Sequence, residues 1–412
     1  MHKPLQLALL IVLAAGACRT HSQQLAMHEN DSVVFYGDSI TAQRLYTRFA
    51  EDFILTRYPR MHVIFWNAGI PGDTVYGGYT GDMPVRINRD VTPHKPTVIT
   101  VMLGMNDGYY MAFNPKYLAI YEDGYRKLLG ALGAAAPGVR FTLISPTPYD
   151  EVTHGTEFEH YDEVVSRHAA FVRELALSMH FGFSDFSQVE SELLNAAIAK
   201  NSSLAPLLVP DRIHPAEASH WVMAAALARS WGVSPIVSSV QIDAPSANVV
   251  AAENARVADL NFTDNILRWT QTDNALPLPL PLDDAMIQFV LSISDLAAMD
   301  RQLLSVHGLT AGRYALKIDG KKTASFTREQ LSVGVNLALY PTPMESQARG
   351  VDGIEQKRTR LDEAHFLLSI EDPKALEAAE ANRALAAKDA ALALEQREMA
   401  QPKPHSFELS AE

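Results

Sequence analysis

The chain has a single cysteine among its 412 residues, Cys18, so no internal disulfide can staple it. Cations are scarce as well: 35 Lys and Arg face 48 Asp and Glu, for a formal net charge of −13. A chain that acidic repels polyanions, which excludes nucleic acid as a partner and disfavours a strongly anionic polymer as a ligand. Beyond the amino end there is no apolar run long enough to span a bilayer. Metal-ligand spacing is missing too. His154, His160 and His168 form neither a helix-face nor a loop ligand set, so no metal and no other cofactor is expected. The Gly-x-Gly-x-x-Gly fingerprint of a dinucleotide site is absent after the first apolar run, because Gly69 and Gly72 do not supply it.

What the chain does have is four short polar blocks, each at the downstream end of a strand-like run or the upstream end of a helix-like one. Gly37-Asp38-Ser39 follows Val33 to Tyr36 and precedes a helical stretch from Thr41 to Arg57. Asn67-Ala68-Gly69-Ile70-Pro71-Gly72-Asp73-Thr74 ends a run from His62 to Trp66. Gly104-Met105-Asn106-Asp107 ends Thr97 to Leu103, and Asp211-Arg212-Ile213-His214-Pro215 opens a helical segment from Ala216 to Ser230. That rim is where open α/β sheets bind ligands.

Together these blocks resemble the SGNH, or GDSL-like, hydrolase family, over roughly residues 32–232. The resemblance implies Ser39 as nucleophile, His214 as base, Asp211 as its orienting acid, and the Ser39 N–H, Gly72 N–H and Asn106 amide as an oxyanion hole. Asp38 and Asp107 would support the loops. The chemistry reads the same way from the residues. A serine hydroxyl is a weak nucleophile until a base takes its proton, and an imidazole does that near neutral pH. A plainer reading stays beside each: Ser39 as a helix cap, Gly72 as a turn glycine, Asn106 and Asp107 as loop-holding side chains, Asp211 as a cap.

Apolar runs at 33–36, 63–66, 98–103, 141–145 and 181–183 alternate with helical spacing at 41–57, 115–134 and 161–179, which predicts a five-stranded parallel sheet in a three-layer α/β/α sandwich. The family's flavodoxin-like arrangement agrees. This domain spans 32–235. From 236 to 345 the texture becomes short strand-like pieces, with a hairpin signal around Asp319-Gly320, a Leu-Pro connector at 276–282 and a helix near 285–299: a small β-rich module. A helical segment at 346–400 carries a thin leucine stripe that either docks or faces solvent, and 401–412 reads as a loose tail.

At the amino end, Met1-His2-Lys3, an apolar stretch to Ala15 and the small residues Ala15-Gly16-Ala17 read as an export peptide at 1–17, with a linker at 18–31. Cys18 directly after it is where a bacterial lipoprotein carries its lipid; anchored and released forms both stay open, outside the cytoplasm in either case. Tyr76, Tyr79, Tyr109, Tyr110 and Tyr149 fall in loops expected to border the serine, where tyrosines can stack on sugar rings. The leading expectation is therefore a serine esterase removing acyl, chiefly acetyl, groups from a glycan or small molecule. The alternatives are a lipase, lysophospholipase or thioesterase, and a non-catalytic glycan-binding protein. The sequence does not determine the oligomeric state.

Overall fold

In the computed structural model, which describes residues 24–158, 160–371 and 379–412, the first strand, β1 (Asp31–Gly37), lies at the middle of a parallel sheet. With β2 (Val63–Gly69), β3 (Val98–Met102), β4 (Arg140–Ile144) and β5 (Gly182–Ser184), the order is β2-β1-β3-β4-β5. Val33 and Phe35 face one core, Val34 and Tyr36 another, and all four are buried. Burial on both faces is what an unbroken apolar run encodes in a sheet covered by helices. One layer holds α1 (Ser39–Ala42), α2 (Leu45–Arg57), α5 (Phe186–Asn201) and α6 (Glu217–Ser230); α3 (Pro115–Ala135) and α4 (Tyr161–Met179) form the other. Helix α5, capped by the Asp185 side chain, has no counterpart in the sequence reading.

The register aims this sheet at one spot. Gly37 pairs with Gly69 on one side and with Met102 on the other, so three strands end level and release their polar loops together. Glycine is required there: a Cβ on Gly37 would lie 2.2 Å from Thr41 Oγ1, and one on Gly69 2.3 Å from the Ala42 nitrogen. Helix α1 can therefore sit directly over the strand ends.

The carboxyl-terminal half contains two further sheets. In one, β6 (Ile236–Asp243) pairs parallel with β10 (Arg301–His307) and antiparallel with β7 (Asn248–Glu253), and β10 also pairs with Val335–Asn336. The other, fully antiparallel, has the order β8-β9-β13-β11-β12, from β8 (Ala255–Thr263), β9 (Ile266–Asp273), β11 (Arg313–Ile318), β12 (Lys321–Thr327) and β13 (Pro404–Ala411). The expected tail is thus a correction: 404–411 is a strand at the centre of its sheet. Phe407 and Leu409 point into the core, while Glu408 on the opposite face meets Arg268 at 2.9 Å and Lys317 at 3.0 Å. Alternation of this kind buries one face only.

The two halves share structure at their border. The Leu-Pro connector is extended as expected, but its leucines are buried: Leu276 joins the carboxyl-terminal core, and Leu278 and Leu280 join the first. Helix α7 (Ala285–Ile293) also packs into the first core. Arg57 secures the crossing, reaching the Leu276 carbonyl at 3.0 Å and Asp300 at 3.2 Å. Helices α8 (Pro343–Glu371) and α9 (Ala379–Ala400) pair and dock on α2. Asp352 of α8 lies 3.3 Å from Arg48, and Asp362 pairs with Arg44. Between them, β2, α2 and this helical pair enclose a cavity of about 260 Å³ lined by side chains including Trp66, His94, Arg358 and Leu385. Neither Ser39 nor His214 lines it.

Candidate active site

Ser39 is the first residue of α1, and the Asp38 carboxylate caps that helix by accepting the Ile40 N–H at 3.0 Å. The plain reading of Ser39 as a cap therefore fails: its neighbour does that work. The Ser39 hydroxyl instead lies 2.8 Å from His214 Nε2, although 175 residues separate them. On the other side of the ring, His214 Nδ1 is 2.6 Å from Asp211 Oδ2, and the second oxygen, Oδ1, accepts the backbone N–H groups of His214 at 2.7 Å and Ile213 at 3.0 Å. An ionised carboxylate only accepts, so Nδ1 carries the proton and Nε2 is left to take one from the serine. Burial tends to raise the Asp211 pKa, but the donors from His214 and Ile213 outweigh it and hold the carboxyl below its ordinary value. Asp211 thus stays an acceptor through the neutral range.

Gly72 adopts φ +74°, and a Cβ there would meet open space, so the left-handed backbone conformation rather than crowding calls for glycine. Asn106 donates from Nδ2 to the Asp73 carbonyl at 3.0 Å, which ties the third loop to the second. Asp107 holds the same pair of loops by accepting the Val75 N–H at 3.0 Å. Burial pushes Asp107 and Asp38 up to about 7 and Asp73 up to about 6. Asp73 has a counterion that the sequence reading missed: Arg86, fully buried, pairs with it, reaches the Ala68 carbonyl, and binds Asp90 at 2.7 Å. No motif announces Arg86; only its burial reveals it.

The expected aromatic rim divides. Tyr79 and Tyr109 are exposed, at 78% and 59%. Tyr76 is anchored on α3, its hydroxyl engaged by the Ile120 carbonyl and the Asp123 carboxylate. Tyr149 requires a correction, since it is buried at 1% exposure and packs edge-on against Tyr161, 5.5 Å away. Proline-rich surroundings made that segment look like a loop surface, but residues 141–150 are all buried. Tyr110 is half-buried and touches Asn106.

The histidines set aside for metal have other duties. His168 lies in the core against the Gly104 carbonyl at 2.8 Å, with burial pulling its pKa down to about 4; His154 meets the Val209 carbonyl at 2.9 Å. Among the described residues, no group of three or more His, Cys, Asp or Glu is arranged to hold a metal ion. Arg212, at φ +72°, clamps the loop beside the base through the carbonyls of His154 and Gly155 and the Glu157 carboxylate at 2.8 Å. Cys18 and the segment expected to be an export peptide lie outside the described residues.

Known proteins show the same pattern of likeness. Residues 35–222 match the family model described as the GDSL-like lipase/acylhydrolase family. An acetylxylan esterase of Geobacillus stearothermophilus is 26% identical over 193 residues, which cover 45% of this chain and 80% of the relative. A crystal structure of an acetylxylan esterase from the same organism is 24% identical, with a TM-score of 0.41 over 50% of this chain and 97% of its own. A gut microbial diltiazem-metabolizing enzyme is 23% identical with a TM-score of 0.80, covering 94% of this chain and 98% of that one, so its fold extends through the carboxyl-terminal half as well. The blocks, the level strand ends and the family match all fall on the same loops: residues 35–222 carry the pattern of the GDSL-like lipase/acylhydrolase family, and the chain is an ester-hydrolysing enzyme.

Proposed function

We propose that the protein is a serine esterase that removes short acyl groups, chiefly acetyl, from hydroxyls of a carbohydrate. The observation that carries this reading is the continuous chain Ser39 Oγ, His214, Asp211, with contacts of 2.8 and 2.6 Å. In this mechanism His214 Nε2 takes the Ser39 proton as Oγ attacks the ester carbonyl, and Asp211 steadies the imidazolium that forms. The oxyanion of the tetrahedral intermediate would be met by the backbone N–H groups of Ser39 and Gly72 and by the Asn106 amide. His214 then gives its proton to the departing alcohol, and a water, activated by the same ring, releases the acid from Ser39. Similarity to an acetylxylan esterase supports a glycan acetyl ester as substrate, and the exposed rings of Tyr79 and Tyr109 offer faces on which a sugar can stack.

The test compares aryl acetates, long-chain aryl esters and acetylated polysaccharides, using the wild type, Ser39→Ala and His214→Ala. Turnover should fall by at least about 1,000-fold in each variant with the fold retained, and acetate should be released from the polysaccharide. Unchanged turnover in the variants would overturn the assignment, while preference for acyl chains of about eight carbons or more would move it to a lipase.

A further inference from the structure

Tyr109 and Tyr110 are consecutive non-glycine residues in the left-handed region, both at φ +55°. Such strain persists only where surrounding contacts over-determine it. Here it turns the Tyr110 ring back against Tyr161, 4.8 Å between centroids and 27° from parallel, and brings its hydroxyl to 3.1 Å from Asn106 Oδ1. Tyr161 is itself fixed by donating to the Met105 carbonyl at 2.7 Å. The Asn106 amide is thus held from both ends. Its nitrogen end must face the Asp73 carbonyl, which can only accept, and its oxygen end receives the Tyr110 O–H. One N–H of the amide remains for a ligand.

We propose that Tyr110 is a positioning residue: its hydroxyl fixes the orientation of the Asn106 amide and, by donating to the amide oxygen, polarises the remaining N–H toward the reacting carbonyl. The proposal rests on the reading of Asn106 as an oxyanion donor. Hydrogen-bonded chains strengthen their members in this way, and a donor preset before substrate arrives needs no reorganisation during the reaction. Burial, with Asp38, Tyr149 and Asp211 nearby, pushes the Tyr110 pKa up to about 12, so the hydroxyl keeps its proton throughout the working range.

Tyr110→Phe keeps the ring against Tyr161 and removes only the donor. With 4-nitrophenyl acetate, kcat should fall about tenfold while KM stays within about twofold, because the contact acts on the transition state. Placed in an Asn106→Ala background, the same change should produce no further fall. Circular dichroism and the thermal midpoint confirm the fold of each variant. Equal losses in both backgrounds, or a raised KM with unchanged kcat, would overturn the proposal and leave the serine esterase standing. If Asn106→Ala alone leaves kcat unchanged while Ser39→Ala abolishes turnover, the oxyanion role of Asn106 fails and Tyr110 has nothing to position.

Discussion

Two clusters of buried carboxylates, one in the loops beside α1 and one between α2 and α8, are satisfied in different ways. In the first, Asp38 accepts the Ile40 N–H of α1, Asp107 accepts the Val75 N–H of the second loop, and Asp73 is paired with Arg86. Against the helical pair, Glu51 and Asp52 of α2 face Asp352 and Glu355 of α8, with Arg48 and Arg358 as the nearby cations. Asp52 is fully buried, and its carboxyl hydrogen-bonds to that of Asp352. Burial, then Asp352 and Glu355, push Asp52 well above its ordinary range; Glu51 is raised likewise by burial and by Glu355, whose own carboxyl is held below its ordinary value, against burial, by the Glu51 hydrogen bond, Arg358 and Gln396. The first cluster gives loops a fixed shape. Both clusters contain raised carboxyls, so the strength of each depends on pH: the first across the loops that carry the site, the second across a helix interface.

Removing the cation from the first cluster should have the largest effect. Arg86→Met strands Asp73 and Asp90 without their fully buried partner, and a loss of about 3–5 kcal/mol is expected in denaturant unfolding. A cost below about 1 kcal/mol would show that the two clusters are equally tolerant. An intermediate effect is expected from Asp52→Asn. A carboxyl whose folded pKa is raised binds more protons folded than unfolded above pH 4, so stability falls as pH rises from there toward the folded pKa. Asp52→Asn should remove one such proton, flattening the decline by about 1.4 kcal/mol per pH unit within that window. Thermal midpoints measured from pH 4 to 8 check this, and parallel curves for the two proteins would refute it. Asp107→Asn should have the smallest effect, because an amide oxygen can still accept from Val75. We expect kcat within about threefold of wild type, and a drop of 100-fold would mean the charge itself matters.

Much of the site was legible because its chemistry is contiguous in the chain. Gly37-Asp38-Ser39 and Asp211 to His214 each carry their own local hydrogen bonds, and β1, which delivers the first, is buried on both faces. The carboxyl-terminal half was harder to read. Strand β8 is half-exposed along its length, and β13 has only Phe407 and Leu409 to bury, so neither shows a run of apolar residues. Arg86 and the orientation of Tyr110 depend on partners brought together by folding, and no local pattern encodes them. Tyr149 shows the opposite error: a loop tyrosine looked available for ligand, yet Phe158 and Tyr161 had already enclosed it.

The central place of β13 also sets the order of assembly. Its neighbours β9 and β11 are synthesised long before it, with contacts spanning 140 residues to Arg268 and 91 to Lys317. Until 404–411 leaves the ribosome, both strands carry open edges able to pair with any passing chain. A nascent molecule that has already formed its esterase domain is therefore still exposed to misassembly in its second half.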